Sequence, residues 1–250
     1  MRAAIHAEAT KLSASLVGRI ATVAVVAGIV VLSSAMLAAA RSGNLAVIAK
    51  LGPDGTPDWH GYLAAATQIT AAGGLAGFAI VLGWMFGREF ADHAINGLFA
   101  LPVGRRTIAG AKFLTFAAWG ALASVALPLV LGVTGVALGL GVPGPVEVAG
   151  LARLVVLGLT ALVLCTPVAW AATLGRSVLA GVGVAIALIV IAQVAVLAGA
   201  GGWMPLAAPA LWAMTAGEAA SVGQVLLVVP FGLIWVVLTL QSWRRLQLDR

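Results

Sequence analysis

The chain has 250 residues, 62% of them hydrophobic and only 9% charged, where a soluble domain carries about a quarter charged residues. That excludes an ordinary water-soluble enzyme, a disordered tail and a soluble nucleic-acid binder, and 14 Lys+Arg against 8 Asp+Glu is too thin an excess to imply a nucleic-acid partner. A single cysteine, Cys165, leaves no disulfide framework and no cysteine-based metal site within one chain.

In chain order, residues 2–17 come first and are expected to form a helix lying in a membrane interface. Ile5, Ala9, Leu12 and Leu16 fall on one stripe, with Glu8, Lys11 and Ser15 on a polar flank. A polar leader that frays is the other reading of this stretch. Between Arg19 and Arg41 lie 21 uncharged residues, enough for a first span near 20–40, since roughly 20 apolar residues cross the hydrocarbon core. That length exceeds the apolar region of a secretory leader, about 7–15 residues, so the segment is expected to be retained.

The following loop, PDGTPDWH, gathers Asp54, Asp58 and His60. They could hold a metal, but the turn-forming Pro and Gly among them and the lack of a fourth ligand favour a solvated loop. A second span is expected near 63–86. It carries Gln68, and its Gly73-xxx-Gly77 and Gly83-xxx-Gly87 spacings suggest close packing against another helix, within the chain or across a dimer.

The only sizeable loop on the same side as residues 2–17 runs from Arg88 to Lys112, REFADHAINGLFALPVGRRTIAGAK. As a helix over 88–101 it puts Arg88, Glu89, Asp92, His93 and Asn96 on one face and Phe90, Ala94, Leu98 and Leu101 on the other. Arg88–Asp92 and Glu89–His93 form i,i+4 pairs, and Pro102-Val103-Gly104 ends the helix before Arg105-Arg106.

Further spans are expected near 113–138, 152–174, 178–198 and 220–243. Gly199 to Gly202, Pro205 and Pro209 break the run before the last span, so 203–218 reads as an outer re-entrant or interfacial element. Trp59, Trp203, Trp212 and Trp243 sit near span ends and read as interfacial belt residues. The fold class expected is therefore all-α, a polytopic membrane protein with six transmembrane helices. Placing both termini in the cytoplasm puts eleven Lys and Arg inside and three, Arg41, Lys50 and Arg153, outside.

No carboxylate or His falls at mid-membrane in these spans, which disfavours a proton or ion relay. Gln193, amid Ile, Val and Ala, is the polar residue costliest to leave unpaired. It suits a helix–helix hydrogen bond or, with Gln68, a substrate contact. There is no GxxxxGK[ST] phosphate loop, no GxSxG and no HExxH. No catalytic residue, metal or cofactor is expected in this chain.

The run REF…LFALPVGRRTIAGAK resembles the cytoplasmic coupling segment of the ABC type-2 permease family. There an acidic residue opens the segment, a Pro-Val-small-Arg turn follows, and a Lys opens the third span. Glu89, Pro102, Val103, Arg105 and Lys112 match that pattern, while His93-Ala94 stands where the family often has Gly-Thr. The layout of interfacial helix with Glu8 and Lys11, six spans and broken outer element is similar as well.

The resemblance implies the transmembrane subunit of an ATP-driven exporter in a bacterial inner membrane. A second permease chain and a separate ATP-binding subunit holding ATP and Mg would be its partners. Glu89, Asp92, His93, Pro102 and Arg105 would form or brace the docking surface. Wall chemistry rich in Ala, Val, Leu and Gly suits hydrophobic or amphipathic cargo such as a drug, lipid or peptide. A membrane scaffold without an energy source is the competing reading.

Overall fold

The computed structural model describes residues 1–51, 56–92, 94–95, 97 and 102–247. A short helix, α1 (Arg2–Ala14), precedes the first long one, α2 (Leu16–Arg41). After α3 (Leu45–Leu51) come α4 (Trp59–Ala91) and α5 (Arg105–Ala137). Then follow α6 (Pro145–Leu174), α7 (Val178–Leu197), the short α8 (Ala208–Met214) and α9 (Val222–Arg245). Among the described residues six helices, α2, α4, α5, α6, α7 and α9, are long and apolar enough to cross a membrane.

Local chemistry sets the breaks. Ser15 is extended, and its hydroxyl accepts the Gly18 amide at 2.9 Å, ending α1 and capping α2. Gly18 is required there, because a Cβ would collide with the Leu12 carbonyl. Asp58 caps α4 by accepting from the Gly61 amide at 3.2 Å. Asp54, which the metal reading of this loop also used, lies outside the described residues. Pro145 opens α6 at a position where its missing N–H costs nothing.

Two π turns, Ala24–Gly28 in α2 and Thr70–Gly74 in α4, lie against each other. Gly77 faces Val25, Gly83 faces Gly181 and Val168, and a Cβ on Gly87 would sit 2.6 Å from the Val178 amide nitrogen. These close packings of α4 are therefore met within the chain, by α2, α6 and α7. Helix α4 is the most enclosed of the six, with Phe78, Val81, Leu82, Met85 and Phe86 fully buried; α7 and α9 are the least enclosed.

Both chain ends lie at one end of the bundle. Arg105 donates to the Leu246 carbonyl there, and Arg176 donates to the Gln247 carbonyl at 2.7 Å. With Arg88, Arg106, Arg244 and Arg245 on the same helix ends, this is the basic end. At the opposite end Arg41 donates to Leu138 O at 2.9 Å and Trp59 Nε1 to Gly141 O at 3.2 Å.

Several sequence expectations change. The helix assigned to 88–101 does not begin at 88, because α4 runs unbroken to Ala91 and Asp92 follows as its cap. His93, Asn96 and 98–101 lie outside the described residues. Leu16 does not extend the α1 stripe, since Ser15 turns the chain before it and leaves its side chain exposed. Trp59 and Trp243 are buried packing residues rather than belt residues: Trp243 stacks edge-on against Phe86 and donates to Thr173 Oγ1 at 3.0 Å.

Candidate functional site

Four charged side chains from three helices meet beneath α1 at the basic end. Lys112, on α5, is 1% exposed and places its Nζ 3.0 Å from Glu8 Oε2 and 3.0 Å from Glu89 Oε1. Its third proton goes to the Met85 carbonyl at 2.8 Å, so the ammonium spends all three donors. Lys11 completes the group, 2.7 Å from Glu8 Oε1 and 2.9 Å from Glu89 Oε1. Two carboxylates and two ammoniums thus alternate with no net charge.

The cluster's charged groups on α4 and α5 lie just beyond the second and third spans as drawn, yet they are enclosed by the bundle. Glu89 and Lys112 belong to helices continuous with the second and third spans, both buried. The exposed polar face drawn through Glu89 is corrected for the same reason. Arg88 and Asp92 share the outward side, 3.6 Å apart, whereas Glu89 is one residue, about 100° of helix, further round and points inward. The polar flank of α1 also faces in: Glu8 is buried while His6, Ala9 and Thr10 are exposed.

Burying charges costs several kcal/mol per ion unless each is paired with good geometry. Apart from Glu89 Oε2, the cluster meets that condition; that oxygen is buried with no partner among the described residues. Phe86 and Trp243 close the apolar side, with Lys112 Nζ 6.0 and 5.9 Å from their ring centroids. Around Lys11, burial alone would lower the pKa. Hydrogen bonds to Glu8 and Glu89, with the two carboxylate charges, outweigh it and hold the ammonium above its ordinary value. The arrangement is a clamp rather than a reaction centre: it fastens α1 to α4 and α5 with charges withdrawn from solvent.

The other docking residues predicted from sequence lie next to this clamp. Asp92 and Pro102 are exposed, Arg105 is half-buried against the C-terminal segment, and His93 lies outside the described residues; Arg106, which was not among the predicted residues, is exposed as well. Sequence reasoning placed Lys112 at the start of the third span without a partner. The available signal was a lone lysine seven residues into a helix that starts at Arg105.

The polar span residues Gln68 and Gln193 meet elsewhere. Both line a cavity of about 370 Å³ between α4, α6 and α7, closed by Leu206, Pro209 and Leu211 of the 203–218 element. Gln68 Nε2 donates to Lys50 O at 2.9 Å, and Gln193 makes no side-chain hydrogen bond among the described residues. The rest of the wall is apolar, with Ala71 and Ala72 supplied by the π turn.

A family model described as "ABC-2 family transporter protein" matches residues 4–194. The match takes in α1, the ion cluster and the wall of the cavity as far as Gln193. No curated protein and no solved structure matches the chain.

Proposed function

The chain belongs to the ABC-2 transporter family, and from that premise we propose that it is the transmembrane permease subunit of an ATP-driven exporter. It is an integral membrane protein. The sequence has no phosphate loop, so ATP and Mg are assigned to a separate ATP-binding subunit, docked at the basic end. The eleven-to-three distribution of Lys and Arg supports a cytoplasmic position for that end, in a bacterial inner membrane. A second permease chain, identical or related, completes the assembly.

The observation that carries this reading is the ion cluster. It joins α1 to the ends of α4 and α5, the two helices that flank the 92–104 connection, so a push on that connection or on α1 is delivered to two spans together. Asp92, Pro102 and Arg106, with His93, supply the outer docking surface. Glu89 braces it from beneath, and Arg105 ties it to the C-terminal segment. The cavity holding Gln68 and Gln193 is assigned to cargo with an apolar body and a group that hydrogen-bonds an amide, moved outward when the ATP-binding subunits close.

Charge reversal at the exposed positions tests the docking assignment without touching the buried cluster. Asp92→Lys with Arg106→Glu is expected to lower co-purification of the ATP-binding subunit at least about tenfold, because like charges across an interface cost several kcal/mol. The unfolding midpoint of the permease should not move. Undiminished co-purification and ATP-coupled transport would remove this surface from the docking assignment.

A further inference from the structure

A groove between α1, α2 and α5 belongs to neither the ion cluster nor the cavity. It holds about 380 Å³ and is walled by Ile5, Ala9, Leu12, Leu114, Ala118 and Leu122. The hydroxyls in its lining are satisfied inside the chain. Thr22 Oγ1 donates to Gly18 O at 2.7 Å and accepts from Trp119 Nε1 at 2.9 Å. Ser13 Oγ donates to Thr10 O at 3.2 Å, and Thr115 Oγ1 to Ile5 O at 3.5 Å. Arg19 differs. It is exposed on the rim, and its Nε donates to Ser13 O at 3.2 Å, which steadies the guanidinium beside the groove while its terminal nitrogens remain for a ligand.

We propose that this groove binds one acyl chain of an anionic phospholipid, with Arg19 paired to the phosphate of its headgroup. The wall asks for hydrocarbon, and Arg19 at the rim asks for an anion. Leu114 to Leu122 spans about 12 Å of helix, most of one leaflet's share of a roughly 30 Å hydrocarbon core. A protein segment would bring backbone N–H and C=O groups against walls that offer them no partner. Cargo is assigned to the cavity between α4, α6 and α7, which shares no lining residue with this groove. Because α1 forms one wall and also carries Glu8 and Lys11, a seated lipid steadies the helix that the ion cluster fastens.

The test uses the purified full-length chain in vesicles of phosphatidylglycerol or phosphatidylcholine with brominated acyl chains. Quenching of Trp119, isolated by difference from Trp119→Phe, reports the groove. Phosphatidylglycerol is expected to half-quench at a mole fraction roughly fivefold lower than phosphatidylcholine, the effect of one basic residue near an anionic headgroup. Arg19→Gln should abolish that preference and Arg19→Lys should keep most of it, both with unchanged unfolding midpoints. Ala118→Phe, which fills the groove, should weaken quenching by both lipids. Equal quenching by the two lipids, a preference that survives Arg19→Gln, or a non-lipid molecule retained in the groove by native mass spectrometry would overturn the proposal.

Discussion

The ion cluster under α1 and the cavity under α8 solve opposite problems with polar groups in an apolar bundle. In the cluster, four charges from α1, α4 and α5 pair within 3.0 Å, and Lys112 has no donor to spare. In the cavity, two neutral amides look into about 370 Å³ of space, and one of them makes no hydrogen bond among the described residues. A charged contact in a low-dielectric setting tolerates little displacement, whereas an amide beside open volume can change partners at little cost. On the function proposed above, rigidity sits where force would be received and adaptability where cargo would be accommodated.

The largest test of that contrast is Lys112→Met. It leaves Glu8 and Glu89 buried with only the half-exposed Lys11 between them, and should cost about 3–5 kcal/mol, read as a fall in the detergent unfolding midpoint. If Lys112→Met unfolds at the native midpoint, the cluster is not the clamp described here. At the cavity the effects should be smaller and unequal. Gln68→Leu removes a hydrogen bond to Lys50 O and should cost about 1 kcal/mol, while Gln193→Leu should lie within about 0.5 kcal/mol of the parent and instead lower cargo-stimulated ATP turnover. Equal destabilisation by both substitutions would mean that Gln193 is a packing residue.

The smallest effect is one of pH. Lys11 has its folded pKa raised above the ordinary 10.5, so its contribution to stability is complete below that value and is lost as pH rises through the folded pKa. Lys11→Met should lower the unfolding midpoint modestly at neutral pH, where that contribution is complete, and flatten the alkaline limb, so that the two proteins converge as pH rises. An alkaline limb identical in both proteins would show that Lys11 does not report on the cluster.

The six spans were legible because charged residues punctuate the sequence at membrane-length intervals, and the breaks at Gly199–Gly202 and Pro205 fall where α7 ends. Glu8 and Lys112 were not legible as partners. A carboxylate on a short amphipathic helix ordinarily faces water, and nothing local announces a lysine 104 positions away. Glu89 was misplaced because it was grouped with Arg88 and Asp92, although it sits about 100° of helix round from Arg88 and faces inward. Trp243 has the sequence position of an interfacial residue, and only the packing of Phe86 and Thr173 against it shows that it is enclosed. Gln68 and Gln193 stood out because an amide in an apolar run is costly, but their common cavity depends on how α4, α6 and α7 pack.

The most direct test of the central claim is purification of the tagged full-length chain from its native membrane, with identification of stoichiometric partners and an ATP-turnover assay on the product. A permease subunit predicts a partner chain with a phosphate loop in roughly 1:1 ratio, as such assemblies pair their subunits, and ATP hydrolysis that falls in Lys112→Met. Recovery of this chain alone, in detergents that preserve such complexes, would contradict the account and favour a membrane scaffold.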